Sequence, residues 1–180
     1  MPEWKPIVGK SFDAAGFEAY CASLSWDKWK PSFIAIHNTA NPDLAMRPKG
    51  FEQKHMGYLE HYYKNDQKWS AGPHLFVDDH RIWVFTPLTT PGRHSPSWNE
   101  IAIGIEMLGN YDKDSFSSGR GLAVRRNAVK AAAILSKRLG LPADSIRFHK
   151  EDKATTHKDC PGRNVSKPEF VAEVKAAMAA

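Results

Sequence analysis

Cysteine is scarce in this chain of 180 residues: only Cys21 and Cys160 occur, so the small, disulfide-stapled secreted domains are excluded as a class. Long apolar runs are missing too. No window approaches the run of about 18 apolar residues that would span a bilayer, which argues against a helical membrane protein. The opening stretch MPEWKPIVGKSFDAAGFEAY has no apolar core behind a basic start; no secretory signal is read, and the chain is expected to be cytoplasmic on synthesis. Repeats, low-complexity tracts and Gly/Ser linkers are absent, which leaves one domain over residues 1–180. Nor is charge of one sign concentrated anywhere. The 25 Lys+Arg against 20 Asp+Glu give a net charge of +5, but acids interrupt the basic residues throughout. This favours a polyanionic partner in general and excludes a dedicated nucleic-acid surface.

What is present is an alternation of short strand-like and helical segments. An amphipathic segment around residues 11–24 holds Cys21, which is expected to act as a small buried hydrophobe rather than to pair with Cys160. FIAIH (33–37) reads as a buried strand ending at His37. The stretch 50–65 reads as a helix, and its His55 and His61, six apart, fall on different faces. HLFVDDHRIWVFTPL (74–88) reads as a hairpin whose turn carries His80. IAIGIEML (101–108) is nearly continuous in its apolar character, as suits a strand buried on both faces, and Glu106 interrupts it. A helix over 121–140 closes at Gly140 before Pro142. SIRF (145–148) leads into His149, and a last helix follows from KPEF onward. Strands interleaved with helices give an α/β class, with helices expected on both faces of the sheet.

The chemistry gathers near the end of the chain, in HKEDKATTHKDCPGR (149–163). His37 and His149 each close a buried strand, so both imidazoles can emerge at one sheet edge, and the turn Pro161-Gly162 can return Cys160 to the same place. Two imidazoles and a thiolate suit Zn²⁺ and leave a fourth position for water, the pattern of a catalytic rather than a structural site. His157 competes with Cys160 as third ligand. A thiolate binds zinc more firmly than a neutral imidazole, which ranks Cys160 first. A thiol hydrolase using Cys160 with His149 or His157 as base is the metal-free reading of the same residues.

Over roughly residues 30–168 the chain resembles the zinc-dependent N-acetylmuramoyl-L-alanine amidases, a family shared by phage endolysins, cell-wall recycling amidases and peptidoglycan recognition proteins. The resemblance lies in the ordered set IAIHNTA, AGPHLFVDD, GRHSPSWN, IAIGIEMLGNY, FHKED and HKDCPG. It implies a single domain with a central mixed β-sheet flanked by helices, the ligands His37, His149 and Cys160 for zinc, and a peptidoglycan or muropeptide substrate. It further implies that Lys158 stabilises the developing oxyanion, that Glu106 relays protons, and that His94 and Asn99 contact substrate or support the site. A tyrosine that many members carry is replaced here by Pro73. The setting implied is a monomeric phage endolysin acting on the periplasmic wall of its host. A cytoplasmic recycling amidase, or a non-catalytic peptidoglycan-binding module, is the alternative.

Overall fold

The computed structural model describes residues 2–180. Six strands form one mixed sheet: β1 Lys10–Phe12, β2 Phe33–Asn38, β3 Leu75–Val77, β4 Ile82–Val84, β5 Ala102–Met107 and β6 Arg147–Phe148. Their order is β1-β4-β3-β5-β2-β6. β3, β5, β2 and β6 run parallel, whereas β4 is antiparallel to both β3 and β1. The four main helices are α1 Ala14–Ser23, α2 Gln53–His61, α3 Gly119–Leu139 and α4 Lys167–Ala179. One turn of π-helix, Tyr62–Asp66, extends α2.

Strand side chains alternate between faces, and the two faces of this sheet carry different residues. Ile34 and Ile36, Leu75 and Val77, and Ile103, Ile105 and Met107 are buried on one face, in a single cluster with Phe17 of α1, Ala128 and Leu135 of α3, and Phe170 of α4. Small residues let α3 lie close: Ala128, Ala131, Ala132 and Ala133 are all buried. Gly140 then stops the helix in the left-handed conformation, at φ 67°, which glycine enters without a Cβ clash.

The opposite face carries Phe33, Ala35 and His37 on β2 and Ala102, Gly104 and Glu106 on β5. Its outer part packs under α2, where Met56 meets Phe51, Phe76, Trp83 and Phe85. Helices therefore cover both faces as expected, but three long ones lie on one side and only α2 with its π-turn on the other. The uncovered remainder is where loops reach the sheet. The small residues Ala35 and Ala102 leave space for Trp98, which packs against them and Phe33. The strand β1 and the π-turn have no clear sequence signal, since KSF is too short for a period and π-turns carry no distinct pattern. Among the described residues, no helix is long and apolar enough to cross a membrane.

Candidate metal centre

In open sheets with parallel strands, sites form beyond the carboxyl ends of the strands, where the loops diverge. His37 lies one residue before the end of β2, and His149 follows directly on the neighbouring β6, which pairs Ile36 with Phe148. Their rings come within 4.3 Å, centroid to centroid. The amide of Lys150 donates to the carbonyl of Cys160 at 2.9 Å, drawing the 160 turn back to the strand end. One donor atom each from His37, His149 and Cys160 thus lie within 4.8 Å of one another. Edges of about 3.3–3.7 Å would join N and S ligands around tetrahedral zinc, so modest inward movement would close the set on one ion.

Hydrogen bonds determine which nitrogen of His37 faces that point. His94 Nε2 lies 3.1 Å from the carbonyl of Ala102; a carbonyl only accepts, so this nitrogen carries the proton. Burial holds the His94 ring neutral, its pKa lowered to about 4, so its Nδ1 is a bare acceptor. His37 Nε2, 3.0 Å away, must donate to it. The free lone pair of His37 is therefore on Nδ1, which also lies 3.8 Å from Glu106 Oε1. Burial, followed by the nearby imidazoles of His94, His149 and His157, keeps His37 neutral as well. His149 Nε2 is engaged 2.8 Å from Thr155 Oγ1, leaving Nδ1. Such outer hydrogen bonds orient metal-binding imidazoles and set their tautomer.

The donor set fits a soft divalent cation. Two buried imidazoles stay neutral, and burial pushes the Cys160 thiol far up, with the Glu106 carboxylate adding to the effect. No basic side chain compensates the thiol strongly, and a coordinated cation would reverse its preference. Glu106 pairs in register with His37 across the parallel strands, and burial raises its carboxyl to about 8. Above them opens a cavity of about 530 Å³ walled by Asn38–Pro42, by Tyr58, Tyr62 and Tyr63, and by Trp69.

The family model described as N-acetylmuramoyl-L-alanine amidase matches residues 27–163, most of the chain and all three donors. The chain belongs to this amidase family. A relative, the N-acetylmuramoyl-L-alanine amidase CwlA of Bacillus subtilis (strain 168), is 30% identical over 157 residues, 84% of this chain and 50% of CwlA. Peptidoglycan-recognition protein SC2 of Drosophila melanogaster is 24% identical over 139 residues, 74% of this chain and 70% of that protein. Among solved structures, the N-acetylmuramoyl-L-alanine amidase LysC from Clostridium intestinale URNW has the same fold, with a TM-score of 0.64 and 21% identity, covering 84% of this chain and 89% of that one.

In this amidase-family chain the residues singled out from the sequence take distinct places. His37, His149 and Cys160 converge. His157 lines the same cavity but is exposed, its ring 5.4 Å from that of His149. His94 is buried beneath His37. Asn99 braces it, its Oδ1 accepting the amides of His94 at 2.7 Å and Ser95 at 2.9 Å, and His94 also lines the cavity. Lys158 is exposed and is not among the residues lining the cavity. Pro73 does line it. His74 lies outside the centre: its Nε2 donates to Thr90 and its Nδ1 accepts from Gly104. Cys21 and Cys160 are both free thiols.

Four residues at the site escape sequence reasoning. Asp152 accepts from Ser95 Oγ at 2.5 Å, Ser97 N at 2.9 Å and Ala154 N at 2.9 Å, tying the His94 loop to the His149 loop. Burial opposes its ionisation, but these donors prevail and hold the carboxyl at about 2. Thr155 orients His149. Tyr63 and Trp69 stack at 5.2 Å to form a cavity wall. The tract HKEDKATTH contains Asp152 and Thr155 in plain sight, but only their partners distinguish them from solvated loop residues.

Proposed function

We propose that the chain is a zinc-dependent hydrolase of the amide joining the lactyl group of N-acetylmuramic acid to L-alanine in peptidoglycan, working as a monomeric endolysin. The observation that carries this reading is the convergence of His37, His149 and Cys160 within 4.8 Å of one another, beside a carboxyl raised to about 8. When bound, zinc would supply Lewis-acid polarisation of the scissile carbonyl and lower the pKa of water at its open position.

The chain's own residues would do the rest. Glu106 Oε1 stands at the cavity floor, where it would take a proton from the attacking water and return it to the departing amine nitrogen; a pKa near the working pH suits both transfers. His94, through its bond to His37, would hold the donor nitrogen in place without itself changing protonation. Lys158 would meet the developing oxyanion only if the 156–159 loop closes over substrate. All the donors come from one chain, consistent with a monomer, and the net charge of +5 suits an anionic wall. In this setting the protein is made in the cytoplasm and acts on the wall from the periplasm.

The deciding experiment measures zinc in the purified protein beside digestion of purified sacculi with and without chelator. Stoichiometric zinc, with release of stem peptide that chelator abolishes, is expected. Digestion undiminished in metal-free protein would overturn the metal reading and favour a thiol hydrolase. Glu106→Gln should keep zinc while lowering kcat by roughly 10²–10⁴, the usual contribution of a proton-transferring side chain.

A further inference from the structure

The arm before β1 bonds to several of the segments that frame the metal cavity. The amide of Lys5 donates to Ser70 O at 2.8 Å, that of Val8 to Phe85 O at 2.8 Å and that of Gly9 to Val84 O at 2.9 Å, so the arm lies along the end of β4 and the loop after the π-turn. Lys5 Nζ donates to Pro91 O at 2.6 Å, three residues before His94. The arm also meets α2 near both of its ends: Gln53 Nε2 donates to Gly9 O at 3.1 Å, and Trp4 Nε1 donates to Glu60 Oε2 at 2.9 Å. The Trp4 ring stands edge-on to Phe85 at 6.4 Å, and with Ile7 it packs into the apolar cluster under α2. All of this lies before residue 27, where the family match begins.

The helix it meets has little else to hold it. α2 is nine residues long and buries only His55 and Met56, and a helix shorter than about 12 residues is marginal in water without tertiary support. Glu60 follows Met56 by four positions and so lies on the same face, one turn further on. The Trp4–Glu60 bond therefore extends the anchorage begun by Met56 to the end of the helix, where the π-turn starts. Tyr58 and Leu59 of α2, with Tyr62 and Tyr63 of the π-turn, line the cavity. The metal donors and Glu106 stand elsewhere, on β2, β5, the β6 junction and the 160 turn, so a shift of α2 alters the wall of the cavity and leaves the metal centre intact.

We infer that Trp4 is a positioning residue: through Glu60 it holds α2 as one wall of the metal cavity, and so sets how tightly the cavity binds its substrate. That the substrate is a peptidoglycan fragment rests on the amidase reading; the tether itself does not. Loss of the indole donor frees the far end of α2, and the closed wall is then populated for a smaller fraction of the time, which weakens apparent binding by that fraction.

The test follows hydrolysis of soluble muropeptides, cut from purified sacculi by a glycosidase, beside backbone hydrogen exchange of the zinc-loaded full chain. Trp4→Phe keeps an aromatic ring against Phe85 and removes the donor. It is expected to raise KM by roughly three- to tenfold with kcat within about twofold, the pattern of lost ground-state binding. Exchange in α2 and the π-turn is expected to quicken about tenfold while α3 keeps its protection. Glu60→Ala is expected to do the same, and Glu60→Gln, which still offers an acceptor oxygen, to stay near the parent. The double variant Trp4→Phe/Glu60→Ala should be no worse than either single one, as for two partners in one bond. An unchanged KM, unchanged exchange in α2, a fall in kcat in place of the rise in KM, or faster exchange throughout the chain overturns the proposal. The two readings fail separately: a wild type that hydrolyses no muropeptide ends the amidase reading and leaves exchange in α2 to decide the tether, whereas hydrolysis indifferent to Trp4 and Glu60 ends the tether and keeps the amidase.

Discussion

Cys160 has a thiol that burial makes hard to ionise, and only a cation beside it reverses that cost, so metal affinity should depend on this one sulfur more steeply than on fold stability. Cys160→Ala is expected to weaken zinc binding by at least 100-fold while circular dichroism stays that of the parent; metal analysis after dialysis checks it. Gly104 offers a subtler test because it touches no ligand. A Cβ built there falls on the His94 ring, well inside van der Waals contact. Gly104→Ala should therefore push His94 off His37 and lower zinc affinity by roughly 10–100-fold, as loss of an outer hydrogen bond does. Overpacking should cost a further 1–3 kcal/mol or so of stability. Chelator competition and urea unfolding separate the two effects, and unaltered affinity would show that the His94–His37 bond does not orient the ligand.

Between elements, the loop before β5 and the loop after β6 are joined chiefly through Asp152. Its hydrogen-bond donors, outweighing burial, hold the carboxyl at about 2 in the fold, below the usual aspartate range of about 3.9, so the folded state favours the ionised form. That contribution is fully present above about pH 4 and is lost as pH falls through about 2. It should be of order 1–2 kcal/mol, the scale of a buried charge-assisted hydrogen-bond set. Asp152→Asn is expected to be less stable than the parent at pH 7 and to show a flatter loss of stability between pH 4 and 2, read from urea midpoints across that range. Equal pH slopes for parent and variant would mean that the ion is not what ties the loops.

Across the whole molecule, three donors from β2, from the β6 junction and from the 160 turn come together only in the folded chain, so a metal that binds them stabilises the native state alone. At a free zinc concentration 1,000-fold above Kd the gain is about 4 kcal/mol, which should raise Tm by roughly 10 °C in a domain of this size. Scanning calorimetry with zinc and with chelator measures it, and the increment should vanish in Cys160→Ala. Much of this architecture was legible beforehand. The near-continuous apolar runs FIAIH and IAIGIEML marked the two central strands, the stripe before Gly140 marked α3, and two strand-end histidines with a turn-borne cysteine marked the donors. Strand β1, the π-turn and the role of Asp152 were not legible. The chain alone determined its α/β order and its metal-binding residue types, because periodicity and residue chemistry are local properties. Tertiary structure alone decided that His37 presents Nδ1, that Glu106 stands beside it, and that Asp152 ties the two loops. Each of these depends on which groups from distant segments pack within a few ångströms, and no local pattern encodes that.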